Sequence, residues 1–200
     1  MESFFRENDR QWKQLQEVVN HSFVCGYCDL RVSSNRGYPV ISRGSGQQVA
    51  GVHICPNCGG PTFVTEYGKQ HPQSALGNSV SNVPSDLDEL YNEARQCTSK
   101  GCYTGAVLLC RKMLMNISVE QGAKEGKRFV DYVNYLSENG YTPPNGKHWV
   151  DHIRKKGNEA THEIAVMSET DAKELMSFTE MLLRFIYEFP SMIPQPTDKK

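Results

Sequence analysis

Two C-x-x-C pairs, Cys25/Cys28 and Cys55/Cys58, constrain this chain more than any other feature. A C-x-x-C turn places two thiols on one side of a common point, and two such turns complete a tetrahedral shell of four sulfurs. That donor set is the one a structural zinc ion takes, with metal–sulfur distances of about 2.3 Å and no position left open for chemistry. Buried reduced thiols or a redox pair are the other readings of the same spacing. Between Cys28 and Cys55 lie 26 residues. That exceeds the common ribbon spacing of roughly 15–20, so a longer hairpin or loop must separate the pairs. Residues 33–47, with their Gly, Ser and Arg content, suit a loop. His53, beside the second pair, is an alternative ligand.

The residues around the pairs are short β-prone pieces broken by Gly, Ser, Asn and Pro: Phe23-Val24, Val40-Ile41, Val52-His53-Ile54 and Phe63-Val64. A segment with so little apolar mass needs a metal to hold it folded. Residues 21–67 therefore read as a zinc ribbon. Ahead of them, Phe5, Trp12, Leu15 and Val19 fall near one stripe at helical spacing, which predicts a helix over residues 1–20. Residues 68–84 have the Gly, Ser, Asn, Gln and Pro content of a linker.

From Ser85 onward the pattern is helical, so the fold class is a small zinc-ribbon β module followed by an all-α bundle over residues 85–190. Ser85-x-x-Asp88 and Ser168-x-x-Asp171 have the form of capping boxes. Ala106, Leu109, Cys110, Met113 and Ile117 share one face of a helix spanning residues 104–121. A further helix is predicted over residues 127–138, and another carries Trp149 and Ile153. Leu175, Phe178, Leu182, Phe185 and Phe189 form a last stripe that Pro190 ends. Residues 191–200 read as a disordered tail. Cys97, Cys102 and Cys110 read as small apolar core residues.

A net charge of −1 gives no global field that would draw the chain onto nucleic acid or an anionic membrane. No apolar run reaches the roughly 18–20 residues needed to span a bilayer. The first residues lack the apolar core of a signal peptide. With seven cysteines, an odd number, metal ligation in the cytoplasm is favoured over a disulfide framework. No P-loop, dinucleotide glycine motif or nucleophile elbow is present.

The remaining candidate site is IRKKGNEATH. Arg154, Asn158 and His162 recur at every fourth position and share one stripe of a continuous helix. An arginine fork suits phosphate, and an imidazole moves a proton near neutral pH. Together they would bind an RNA backbone and activate a 2′-hydroxyl without a metal. The same three side chains equally suit hydrogen bonds from one helix to the next. His148 and His152, also four apart, read as a chance pairing or a solvated face.

ELYNEARQCTSKGCYTGAVLLCRKMLMNI, then HIRKKGNEATH and a final amphipathic helix, resemble the domain-of-unknown-function 4145 family of bacteria and phages. That family is grouped with the HEPN helical bundles. The resemblance implies a HEPN-like bundle that forms a homodimer. It also implies a metal-independent endoribonuclease in which Arg154 and His162 meet RNA at the dimer interface, with Asn158 positioning them. It places the chain in bacterial or phage conflict systems. Seven residues separate Arg154 from His162, a longer spacing than the superfamily's usual one. A non-catalytic protein-interaction module, with a protein in place of RNA as its partner, remains the alternative.

Overall fold

A computed structural model describes residues 11–143, 149–153, 155 and 166–192. The chain divides into two compact units between Ala75 and Leu76.

The first unit is an antiparallel meander. Strands β1 (Gln16–Val24), β2 (Arg31–Ile41), β3 (Gln48–Ile54), β4 (Pro61–Val64) and β5 (Gln70–His71) pair in sequence order. Because the strands alternate in direction, the β1–β2 and β3–β4 turns fall at one end of the sheet. Val24 pairs with Arg31 across the first turn, and Ile54 with Pro61 across the second. The long gap between the cysteine pairs is thus a full hairpin. Residues 31–41 are strand, and only residues 42–47 turn.

The helix expected over residues 1–20 is not observed in its described part. Gln16–Val24 is strand, with Val18 buried and Val19 exposed. Pairing with β2 supplies hydrogen bonds and a buried face that outweigh a weak local helical stripe. Residues 1–10 lie outside the described residues. The register of β1 against β2 shifts between Glu17 and His21. There the Val19 amide donates to Gln48 Oε1 at 2.8 Å, so the irregularity leaves it satisfied.

The second unit is helical: α1 (Ser85–Ser99), α2 (Tyr103–Glu120), α3 (Phe129–Glu138) and α4 (Glu169–Leu183), with residues 149–153 helical as well. Helix α2 packs against α1, α3 and α4. Its Ala106, Val107, Cys110, Met113, Leu114 and Ile117 are buried. Across from them lie Tyr91, Leu136, Leu175, Phe178 and Leu182. The capping box of α4 forms as expected: Asp171 N donates to Ser168 Oγ, and Ser168 N to Asp171 Oδ2. That of α1 does not. Pro84 is the cap, and Asp88 Oδ2 accepts from Asn92 Nδ2 at 3.0 Å instead. Ser85 already lies inside the first turn, where its side chain cannot reach back over the helix end.

The predicted last stripe fails after Leu182. Residues Arg184–Glu188 form a π-helical turn, followed by a helical turn at Phe189–Met192. A π turn carries an extra residue and rotates all that follows it around the axis. Phe185 and Phe189 therefore face solvent, while Glu188 is buried at 6% exposure. Ser191 and Met192 belong to that final turn, and residues 193–200 lie outside the described residues.

The stretch read as a linker is shared by the two units. Gln70–His71 is β5, and Gln70 Nε2 donates to the carbonyls of Val24 and Pro72. Beyond Ala75 the chain lies along the helices. Asn78 N and Ser81 N donate to Glu180 and Glu188, and Val80 is buried.

Candidate functional site

The two cysteine turns have the same backbone wiring. Cys25 N donates to Leu30 O and Asp29 N to Cys25 O. Cys55 N donates to Gly60 O and Gly59 N to Cys55 O. All four bonds are 2.9 Å. Asp29 and Gly59 occupy equivalent places with φ of 57° and 74°. Each turn thus folds its two thiols toward the other turn.

The four sulfurs lie within 4.8 Å of one another. Cys25 and Cys58 Sγ are 3.6 Å apart, and Cys28 and Cys55 Sγ 3.9 Å. A disulfide would need about 2.05 Å. Sulfurs around a tetrahedral zinc stand about 3.8 Å apart, from the 2.3 Å metal–sulfur bond. Three N–H groups are aimed at sulfur: Cys58 N at Cys55, Gly60 N at Cys58 and Asn57 Nδ2 at Cys28, at 3.4–3.5 Å. Such donors favour thiolates over thiols. A Cβ on Gly60 would lie 2.5 Å from the Tyr27 ring and 3.2 Å from Cys58 Sγ, which explains a glycine there.

Electrostatics point the same way. Burial pushes the Cys25 thiol far up and that of Cys58 up to about 11. Burial also acts upward on Cys28, but donors from Asn57 and Leu30 outweigh it and the net direction is down. Thiols so placed need a cation to become thiolates at neutral pH. The surrounding core is thin: Phe23 and the cysteines, with Val32 beside them. This donor set fits a zinc ion with no open coordination position.

His53 is not among the ligands. It is buried, and its Nδ1 faces the Ser34 carbonyl at 3.2 Å, so Nδ1 carries the proton. Burial holds its pKa below the usual histidine value. The other cysteines differ from one another: Cys110 is in the helical core, Cys97 is half-buried, and Cys102 is exposed at the start of α2. The core reading thus fails for Cys102, since the chain turns outward at Gly101 before α2 begins.

In the helical unit, Arg154, Asn158 and His162 lie outside the described residues. Just before them, His152 Nε2 meets Glu174 Oε2 on α4 at 2.6 Å. The sequence offers no signal for that pair, since 22 positions separate the two residues. His152 is thus partly exposed and paired with a carboxylate, while His148 lies outside the described residues.

A family model described as a domain of unknown function, DUF4145, matches residues 92–195, just over half of the 200 residues. The chain belongs to the DUF4145 family. No curated protein and no solved structure matches it. The DUF4145 span begins within α1 and takes in α2, α3, α4 and the Arg154, Asn158 and His162 positions. The four cysteines lie outside it, so the cysteine cluster is not part of the matched DUF4145 span. Among the described residues, no helix is long and apolar enough to cross a membrane.

Proposed function

We propose that this chain is a nucleic-acid-associated member of the DUF4145 family from a bacterial or phage conflict system, working in the cytoplasm as a homodimer. A structural zinc ion on Cys25, Cys28, Cys55 and Cys58 holds its ribbon. The helical unit is HEPN-like, and Arg154, Asn158 and His162 hold RNA. Arg154 neutralises the phosphate and His162 takes the 2′-hydroxyl proton, giving metal-independent cleavage.

The observation that carries this reading is that the DUF4145 match encloses all three residues. The test is a ribonuclease assay on the zinc-loaded protein with magnesium withheld. Cleavage by wild type that Arg154→Ala and His162→Ala both lose supports the nuclease. No cleavage by any of the three, all folded, rejects it.

A second reading rests on the sheet, where Val19, Val40, Ile41 and Val49 are exposed. Such residues suit a protein partner, with the Arg-Asn-His stripe structural. Co-purification of a stoichiometric protein partner, lost on Val19→Asp, would favour it.

A further inference from the structure

The chain reverses between α1 and α2 over residues 100–102, and a cysteine stands on each side of the reversal. Cys102 N donates to Cys97 O at 2.8 Å, and Gly101 N to Thr98 O at 3.0 Å. Gly101 between them has φ of 74°. These two bonds and the left-handed glycine form a Schellman ending to α1. In that motif the side chains at the two ends of the longer bond, here Cys97 and Cys102, commonly meet. With standard bond lengths, the path from one α-carbon through that bond to the other is about 7 Å when straight, and its angles shorten it. A disulfide takes α-carbons about 4.4–6.8 Å apart.

The thiols themselves agree with the backbone. Cys97 Sγ stands 3.6 Å from where a Cβ on Gly105 would lie, over the first turn of the helix that Cys102 caps. Burial, and then the neighbouring Cys102, push the Cys97 thiol up. The two differ in access: Cys102 is exposed and Cys97 half-buried. Cys110 is fully buried, and its Sγ is turned to Met176 Sδ at 3.3 Å. The four cysteines of the metal cluster belong to the other unit.

We propose that Cys97 and Cys102 are a reversible redox pair oxidised by hydrogen peroxide. Cys102 Sγ, the exposed sulfur, attacks a peroxide oxygen. The O–O bond breaks, water leaves, and Cys102 becomes a sulfenic acid. Cys97 Sγ then attacks Cys102 Sγ, the S–O bond breaks, and a second water leaves as the disulfide forms. Both thiol protons depart in the waters. A small dithiol reverses the step by exchange, as suits the transient disulfides of a reducing compartment. Oxidation withdraws the exposed thiol and staples the last turn of α1 to the start of α2.

The test treats the zinc-loaded, full-length protein with a few equivalents of hydrogen peroxide, blocks the remaining thiols and maps disulfides by mass spectrometry. Wild type yields a peptide joining Cys97 to Cys102, lighter by two hydrogens, and dithiothreitol returns both thiols. Cys97→Ser leaves a sulfenic acid at Cys102 that dimedone traps. Cys102→Ser gives neither a disulfide in the helical unit nor a dimedone adduct at Cys97. Wild type in which both residues stay thiols, Cys102 proceeds to sulfinic acid unlinked, Cys97 joins Cys110, or Cys102 joins a second chain overturns the proposal. The wild-type map decides this alone, whatever the folding of the variants.

Discussion

The indole Nε1–H of Trp12 donates to the carbonyl of Gly59 at 2.7 Å, tying the segment before β1 to the second cysteine turn. The ring also meets Tyr38 edge-on at 6.3 Å, and the Tyr38 hydroxyl donates to the Lys13 carbonyl. Gly59 in turn donates its N–H to Cys55 O. Trp12 therefore reports on the metal turn. Removing the ion with a chelator will red-shift its emission, since an apo turn no longer holds Gly59 in place. Trp149→Phe will keep that change and Trp12→Phe will abolish it. An emission spectrum unaltered by chelation would count against a metal-dependent turn.

Thiol labelling separates the seven cysteines. In the zinc-loaded protein at pH 8, iodoacetamide will modify exposed Cys102 first and half-buried Cys97 more slowly. Cys110 will stay unmodified, because burial pushes its thiol up to about 12 and the reactive thiolate forms only near that pH. The four ligand cysteines will react only after chelation. Mass spectrometry reads each site, and early labelling of Cys25 or Cys55 would contradict the metal shell.

Gly37 on β2 faces β3 too closely for a side chain. A Cβ there would stand 1.7 Å from the Val52 carbonyl oxygen, which is backbone and cannot move aside. Gly37→Ala will cost the sheet about 3 kcal/mol. Gly44, with nothing within 4 Å of its Cβ position, will tolerate Ala within about 0.5 kcal/mol. Denaturant unfolding followed through Trp12 measures both, and equal midpoints would refute the clash.

Glu188 serves the π turn. It accepts from Arg184 Nη1 at 2.6 Å and from Ser81 N at 2.9 Å. Glu188→Ala will destabilise the helical unit by about 2 kcal/mol, because Ser81 loses its acceptor while Arg184 keeps Glu180. Urea unfolding followed by Trp149 emission tests this, and an unchanged midpoint would show the strap to be dispensable.

What could be read in the sequence was local. The C-x-x-C spacing sets thiol geometry within four residues, and the structure assembles all four cysteines. Helices α2 and α3 begin and end within a few residues of their sequence signals, and α1 and α4 begin at theirs, since capping and the 3.6-residue period act within one or two turns. The strand at Gln16–Val24 was hidden because its hydrogen-bond partners are contributed by β2, and a helical stripe of four residues imitated the wrong period.

The sequence by itself thus determined a four-cysteine β module ahead of a helical domain, because C-x-x-C spacing and helix periodicity are written in short stretches of chain. Only the tertiary structure decided the meander that absorbs the gap between the pairs, the π turn that rotates Phe185 and Phe189 outward, the meeting of His152 with Glu174, and the burial of Arg111 against Phe129. Each of these depends on residues far apart in the chain, and their contact energies appear only once the chain has brought them together.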